Sequence, residues 1–248
     1  MIAQGSAVFC AGAFGKAGWR IKAVLAGEDG LPQLFDSAAE VYDGWYDEPD
    51  GKAIFKAELK CLRALCVKFQ GRWLEAGVGS GRFAFNLGVG IGIDPSIPML
   101  GIAKNRGILA TAGYAEALPF ADHSFDGILL VLALCFMADS DQALRECGRV
   151  LQPEGKLVLG VIPADSPWGK AYERKKAERH PIYASARFPI VPRVVEFIKS
   201  AGFVYKRAAS SLFWDPDGPP DAEPLVTPGF FHDAGFLGLL FEKADNGR

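Results

Sequence analysis

The sequence has little of what metal centres, disulfide frameworks and membrane spans require. It holds three histidines and five cysteines in 248 residues, with no C-x-x-C pair and no zinc-ligand spacing. Scattered, odd-numbered cysteines fit a reducing compartment, where a cysteine packs as a small buried hydrophobe. No apolar run approaches the ~20 residues that a membrane helix needs. We therefore expect a cytoplasmic protein with no metal site and no membrane partner.

An excess of charge is also missing. The net charge is -2 and the pI is near 6.0, so nucleic acid is not an expected partner. The small basic run Arg174–Lys176 is typical of a solvated helix face. Hydrophobic residues make up 50% of the chain and aromatic residues 12%, which predicts a sizeable folded core. The length fits one large domain with additions.

A glycine-rich stretch organises the remaining pattern. A short buried strand, Trp73–Ala76, leads into Gly77, Gly79 and Gly81, and a helix opens near Gly81. Glycine at every second position allows positive φ and a close approach of the backbone to a ligand. The spacing is not the dinucleotide fingerprint G-x-G-x-x-G, because Arg82 stands where its third glycine belongs. This difference disfavours a nicotinamide-dependent oxidoreductase.

Two carboxylates frame the glycine stretch. Glu75 stands two residues before Gly77, and Asp94 ends the second predicted strand. The interval from Glu75 to Asp94 is close to the ~20 residues at which an acidic residue binds a ribose in nucleotide folds. Two carboxylate oxygens can accept hydrogen bonds from vicinal hydroxyls. The alternative for each side chain is a structural role, capping the helix that follows.

Two amphipathic helices are predicted before the first strand. Asp36 or Ser37 would cap the first, and Pro49 and Gly51 would end it. The second carries apolar residues at three- and four-residue steps over 54–69. Its charged residues, Glu58 among them, are expected on the opposite, solvent-facing side.

Strands and helices then alternate, which predicts an α/β fold with helices on both faces of a parallel sheet. The predicted strands are 73–76, 87–94, 108–111, 127–132, 156–162, 204–213 and 236–242.

The ordered set of motifs resembles one family. The E-x-G-x-G-x-G loop, Asp94, the run 113–126 and the helix and turn at 145–155 resemble class I SAM-dependent methyltransferases of the small-molecule, methyltransferase type 11-like group. The resemblance covers roughly residues 35–162. It implies a Rossmann-like, seven-stranded, mostly parallel sheet whose last strand is antiparallel.

The resemblance also implies a domain organisation. Residues 1–33 have weak periodicity and are expected to be an N-terminal extension of unknown role. Residues 34–248 would form the methyltransferase domain. Within it, 163–192 is an insertion after strand five, where insertions lie over the ligand crevice, and we interpret it as a substrate lid.

By the same resemblance, S-adenosyl-L-methionine (SAM) is the cofactor. The glycine loop would hold its amino-acid portion, Glu75 its ammonium, Asp94 its ribose, and Pro95 and Met99 its adenine. The full expected set is Glu75, Gly77, Gly79, Gly81, Asp94, Pro95, Met99, Ala115, Glu116 and Val131.

The implied reaction is in-line transfer of the methyl group to a small-molecule acceptor, by a monomer or homodimer. Alignment and exclusion of water are the main requirements. The residues expected to contact the acceptor are Tyr42, Tyr46, Trp168 and Tyr183. Candidates for a catalytic base are His180, Tyr183 and His232, although a lone histidine or tyrosine is often structural.

Two departures from the family pattern stand out. Tyr114 occupies the position where many relatives carry an aspartate for the adenine amino group. The segment Leu134–Met137 is apolar where many relatives place histidines. The second departure keeps open an alternative function: a non-catalytic protein with this fold that binds a ligand or partner.

Overall fold

The computed structural model describes residues 31–65, 68–180 and 182–244. The predicted N-terminal extension lies outside them except for its last three residues. The α-helices are α1 (Leu31–Trp45), α2 (Pro49–Ala64), α3 (Arg82–Leu87), α4 (Ile97–Asn105), α5 (Ser140–Val150), α6 (Pro167–Ala177) and α7 (Val191–Ser200). The strands are β1 (Trp73–Ala76), β2 (Ile91–Asp94), β3 (Leu109–Ala112), β4 (Phe125–Val131), β5 (Leu151–Val161), β6 (Phe203–Ser211), β7 (Thr227–Pro228) and β8 (Phe236–Lys243).

All of these strands form one sheet, in the order β3-β2-β1-β4-β5-β8-β6-β7. Strands β1 to β5 pair in parallel, and β8 runs antiparallel to both β5 and β6. The Rossmann-like, mostly parallel sheet with an antiparallel last strand is confirmed. The predicted number of seven strands is wrong by one, because the two-residue β7 pairs with Ala209 and Ser210 at the edge. A strand of two residues is too short to show an alternating pattern in the sequence.

The chain order reverses between β1 and β4. Strands β2 and β3 lie on one side of β1. The chain then crosses over, and β4 and β5 lie on the other side of β1. Ligands of open α/β sheets bind where this reversal occurs, outside the carboxyl ends of the strands. The fold therefore places the glycine turn after β1 at the expected crevice.

Helices cover both faces of the sheet. Neighbouring strand residues divide between two buried clusters: Trp73 and Leu129 belong to one, and Leu74 and Ile128 to the other. This division follows from the alternation of side chains along a strand. Because both faces are covered, β4 is almost continuously apolar and buried, as the sequence predicts for a central parallel strand.

The first two helices differ from their prediction. The chain is already helical at Leu31, so neither Asp36 nor Ser37 caps α1. Pro49 and Gly51 do not end a helix but open α2. Proline is favoured at the first helical position, because its missing N–H would have no partner there and its φ is already helical.

The cysteines that the structure describes take structural positions. Cys61, Cys135 and Cys147 are free and buried. Burial raises the pKa of each thiol to about 12, so all three stay protonated and pack as small hydrophobes. In the three described ranges, no helix combines the length and the apolar character needed to cross a bilayer.

Gly127 on β4 tests how tightly this sheet is packed. A methyl group there would collide with the indole ring of Trp73, which is 3% exposed. We expect Gly127→Ala to lower the free energy of unfolding by about 1–3 kcal/mol, because overpacking forces side chains off their rotamers. Urea denaturation followed by circular dichroism measures the change.

A matched control is Gly90→Ala. A Cβ at exposed Gly90 meets nothing within 4 Å, so the same substitution should stay within about 0.5 kcal/mol of the wild type. Equal stability of the two variants would contradict the packing of Trp73 against β4.

Candidate functional site

A cavity of about 320 Å³ lies at the carboxyl ends of β1, β2 and β4. This size is in the range of small-molecule and cofactor sites. It brings together most of the residues predicted to bind cofactor or acceptor: Tyr42, Tyr46, Glu75, Gly77, Gly79, Asp94, Pro95, Met99, Ala115, Glu116 and Val131. Residues far apart in the chain thus meet in one place.

The glycine turn forms one wall of the cavity. Gly77, Gly79 and Gly81 have φ of 76°, 51° and 79°, so the positive φ predicted from their spacing is confirmed. The Gly77 N–H donates to the carbonyl oxygen of Ile93 at 2.8 Å, which fixes the turn against β2. A Cβ on Gly79 would meet nothing within 4 Å, so this residue leaves open space beside the cavity.

Glu75 is a buried carboxyl group with an unused oxygen. The residue is 1% exposed, and its Oε2 has no hydrogen-bond partner among the residues that the structure describes. Burial raises the pKa of Glu75 well above its ordinary value, although a backbone hydrogen bond from Ala84 in α3 lowers it. Buried polar atoms are nearly always paired. Glu75 therefore both supports the start of α3 and keeps an acceptor for a ligand.

Asp94 connects the glycine turn to α4. Its Oδ2 accepts a hydrogen bond from Gly79 N at 2.9 Å, and its Oδ1 accepts one from Ser96 N at 2.9 Å. Burial raises the pKa of Asp94, and these two hydrogen bonds lower it in part. Each oxygen keeps a second lone pair for a ligand. The cap of α4 is Ser96, whose Oγ accepts from Met99 N at 3.4 Å, so capping does not occupy Asp94.

A group of ion pairs fastens α1 over the cavity, and the sequence analysis missed it. Asp43 on α1 accepts from Arg82 Nε at 2.7 Å and from Arg106 Nη2 at 2.7 Å. Asp47 also pairs with Arg82 at 2.7 Å, and Arg106 donates to the carbonyl oxygen of Ser80 at 2.6 Å. Burial raises the pKa of Asp43, but the hydrogen bonds from both arginines lower it below its ordinary value.

The residues at which the sequence departs from the family pattern, Tyr114 and the segment Leu134–Met137, contribute to the lining of the cavity. Tyr114 borders the cavity and is 54% exposed, beside the expected adenine contacts. The Oε1 of Glu116 accepts from Ala138 N at 2.9 Å, so this carboxylate supports the segment before α5. Phe136 and Met137 line the cavity and make this wall apolar.

Five predicted site residues lie outside the lining of this cavity: Gly81, Trp168, His180, Tyr183 and His232. Trp168 is 1% exposed, and its Nε1 donates to the carbonyl oxygen of Trp214 at 3.0 Å, so it packs as a core residue. The His232 side chain is 80% exposed and lies 3.9 Å from Asp165. Burial lowers the pKa of His180 to about 4, so its imidazole is neutral.

Glu58 on α2 is the largest surprise. It is 2% exposed, so its predicted place on the solvent-facing side is wrong. Its Oε2 has no hydrogen-bond partner in the described ranges, and burial raises its pKa to about 8. Ile54 and Leu62 stand four residues before and after it and are also buried. This helical spacing was a signal for burial that the flanking lysines obscured.

Glu58 predicts a pH dependence of stability. With a pKa near 4.5 unfolded and about 8 folded, the folded state binds more protons between these values. Stability should therefore fall as pH rises through this window and level off above about 8. In Glu58→Gln this contribution, up to about 1.4 kcal/mol per pH unit, is lost. Urea denaturation from pH 5 to 8.5 measures the difference between variant and wild type.

Glu40→Gln, on the exposed side of α1, is the control and should follow the wild-type pH curve. If Glu58→Gln also runs parallel to the wild type, the carboxyl is not desolvated.

Comparisons with known proteins agree with the geometry of the site. A family model described as "Methyltransferase domain" matches residues 74–159, from β1 to β5. This match includes the glycine turn, Asp94 and the apolar segment after β4.

Three similar proteins extend the match beyond that segment. A crystal structure from Thermotoga maritima, described as a SAM-dependent methyltransferase, possible histamine N-methyltransferase, is 31% identical with a TM-score of 0.78, covering 86% of this chain and 99% of that one. An uncharacterised protein of Methanocaldococcus jannaschii is 38% identical over 210 residues, 85% of this chain and 98% of that protein. An uncharacterised protein of Mycobacterium tuberculosis is 39% identical over 165 residues, and this chain spans 58% of its length.

Proposed function

The chain belongs to the SAM-dependent methyltransferases, and on this premise we propose that it transfers the methyl group of SAM to a small-molecule acceptor by in-line displacement. The observation that carries the proposal is a pair of buried carboxyl groups, Glu75 and Asp94, on the two sides of a positive-φ glycine turn that borders the cavity. When bound, SAM supplies a methyl group activated by a sulfonium leaving group.

The residues of the cavity fit this cofactor. The unpartnered Oε2 of Glu75 would accept a hydrogen bond from the ammonium of the amino-acid portion, which would also favour the charged carboxylate. The remaining lone pairs of Asp94 would accept from the ribose hydroxyls. The open space beside Gly79 admits a ligand close to the backbone. Pro95 and Met99 offer an apolar surface for the adenine.

The apolar lining of the cavity supports direct displacement of the methyl group by the acceptor. Phe35, Tyr42, Phe136 and Met137 all line the cavity, and the rings of Phe35 and Phe136 pack edge-on with centroids 5.1 Å apart, so little water would remain around the reacting atoms. Aligning the nucleophile with the methyl carbon and the sulfur is then the main task of the protein. The modest size of the cavity favours a small acceptor over a macromolecule.

The insertion at 163–192 is part of the proposal as a lid. Its backbone reaches the segment after β4, where Arg187 N donates to the carbonyl oxygen of Cys135 at 2.7 Å. Within the insertion, the rings of Tyr172 and Tyr183 lie 4.5 Å apart and Phe188 stacks on Tyr172 at 5.4 Å. An aromatic layer placed this way would close the acceptor side of the site.

S-adenosylhomocysteine binding tests the cofactor assignment. We expect the wild type to bind it in the micromolar range and Asp94→Ala to lose about 2 kcal/mol or more of binding free energy, the scale of lost charged hydrogen bonds. Isothermal titration calorimetry measures both. Asp141→Ala, an exposed carboxylate in the first turn of α5, should bind like the wild type.

A wild type that does not bind S-adenosylhomocysteine would refute the proposal and leave the non-catalytic alternative. Binding that is indifferent to Asp94→Ala would refute the ribose role alone.

A further inference from the structure

We propose that Asp43 on α1 is a positioning residue for the cofactor, which acts through Ser80, Arg82 and Arg106 on the glycine turn. By holding the turn, Asp43 also links cofactor binding to the seating of α1 over the cavity. This inference rests on the proposed function, since it takes the glycine turn as the place of the amino-acid portion of SAM. It adds to that function a residue that lies outside the lining of the cavity.

Ser80 is the point at which Asp43 reaches the turn. It lies between Gly79 and Gly81, lines the cavity and is 6% exposed. Arg106 donates from Nη1 to the Ser80 carbonyl oxygen at 2.6 Å and from Nη2 to the Asp43 carboxylate at 2.7 Å. The Ser80 side chain also hydrogen-bonds to Asp43. Both the main chain and the side chain of Ser80 are thus tied to α1.

Arg82 fixes the point at which the chain leaves the turn. It is the first residue of α3 and directly follows Gly81, whose φ of 79° is readily adopted only by glycine. Its Nε donates to Asp43 Oδ1 at 2.7 Å, and its Nη2 donates to the main-chain carbonyl oxygen of Asp43 at 2.7 Å. The planar guanidinium fixes the direction of each of these bonds. The start of α3 is therefore set by α1.

A turn of this composition needs support from outside. Glycine loses more conformational freedom on ordering than any other residue, and every second position from Gly77 to Gly81 is glycine. Gly81 is also the N-cap of α3 and has no side chain with which to cap it. A ligand binds more tightly to groups that are already ordered, because the cost of ordering them does not fall on binding. The bonds to Asp43 supply this order.

The negative charge of Asp43 is stabilised by these partners. Burial raises the pKa of Asp43, but the hydrogen bonds from Arg106, Arg82 and Ser80 lower it below its ordinary value. The carboxylate is therefore ionised at neutral pH, with Oδ1 accepting from Arg82 and Oδ2 from Arg106. An asparagine in its place would have nearly the same shape, but it would carry no charge and would replace one acceptor oxygen by an N–H donor.

The helix α1 has contacts to both elements that would hold the cofactor. Tyr42, the residue before Asp43, lines the cavity. Nearer the start of the helix, Asp36 Oδ1 accepts from Ser96 Oγ at 2.6 Å, and Ser96 N donates to Asp94 at 2.9 Å. A cofactor that orders the turn and the residues after Asp94 therefore favours the seated position of α1. Because linkage is reciprocal, a seated α1 favours binding of the cofactor.

Asp47 offers a matched comparison for Asp43. It also pairs with Arg82, at 2.7 Å, and its side chain is 64% exposed. Within residues 31–65, 68–180 and 182–244 it makes no hydrogen bond to Ser80 or Arg106. Loss of Asp47 therefore removes an ion pair from the same arginine without releasing the turn.

S-adenosylhomocysteine binding to Asp43→Asn and Asp47→Asn tests the positioning role. Both variants are titrated calorimetrically at a temperature at which circular dichroism shows them folded. We expect Asp43→Asn to bind at least about tenfold more weakly than the wild type, the scale of a lost charged hydrogen bond in a desolvated place. Asp47→Asn should stay within about threefold of the wild type, because an exposed ion pair contributes little.

A double variant tests the route through Arg106. Arg106→Gln should weaken S-adenosylhomocysteine binding by a factor similar to that of Asp43→Asn, and Asp43→Asn/Arg106→Gln should lose little more than either single variant, because residues that act together are not additive. Multiplied losses in the double variant would contradict this route.

Hydrogen exchange provides a measurement on the wild type alone, which does not depend on a variant's folding. Adding S-adenosylhomocysteine should slow amide exchange in the turn and also over residues 31–45, although most of α1 lies outside the cavity lining. In Asp43→Asn saturated with the same ligand, we expect the turn to stay protected while the slowing over α1 is lost. A contact that only stabilises the fold would not produce this difference.

Three results would count against different statements. If Asp43→Asn binds S-adenosylhomocysteine as tightly as Asp47→Asn does, Asp43 is a structural contact and not a positioning residue. If the ligand slows exchange in the wild-type turn but not in α1, the link between the cofactor and α1 is wrong. If the wild type does not bind S-adenosylhomocysteine, the proposed function itself fails, and the role of Asp43 fails with it.

Discussion

The carboxylate of Asp43 is the contact on which the rest of the site depends. It joins α1 to Arg82, the first residue after the glycine turn, and to Arg106, the C-cap residue of α4. The Asp43 side chain is only 13% exposed, so these pairs are poorly screened by solvent. Removing Asp43 would leave Arg106 without its carboxylate partner, whereas Arg82 would keep Asp47. Because α1 is held in this way, Tyr42 on the helix and Tyr46 directly after its end form a fixed wall of the cavity.

With α1 in place, the cavity has two chemically different ends. The end at β1 and β2 holds Glu75 and Asp94 beside the glycine turn, and the end at α1 is aromatic, with Phe35, Tyr42 and Tyr46 in its lining. Leu132, which closes the turn after β4 between them, has a φ of 54° although it is not glycine. A residue held in this strained region and a carboxyl group, Glu75, that is buried without full pairing both lower stability. Their concentration in one place is expected of a site selected for binding and reaction.

The parts that could be predicted from the sequence are those fixed by near neighbours in the chain. The glycine turn, the central strands and the position of Asp94 follow from spacing, and the structure confirms them. The parts that failed depend on partners far away in the chain. Asp43 and Arg106 are separated by 63 positions, and nothing local pairs them. The lysines beside Glu58 favour a place on the surface, whereas the helical spacing of Ile54 and Leu62 indicates burial, and the structure buries it. His232 lies outside the lining of the cavity with its side chain 80% exposed, and its role as a base stays a prediction.

The apolar segment after β4 contributes Phe136 and Met137 to the cavity wall. Leu134–Met137 stands where many relatives place histidines, and its lack of a base kept a non-catalytic protein open as an alternative. A base is needed only if the nucleophile is protonated at neutral pH, so a segment without histidines is compatible with methyl transfer. The segment after β4 is then free to be apolar, and Phe136 and Met137 exclude water that would otherwise shield the reacting charges. An apolar wall that excludes water suits a reaction whose main requirement is alignment of the nucleophile with the methyl carbon and the sulfur.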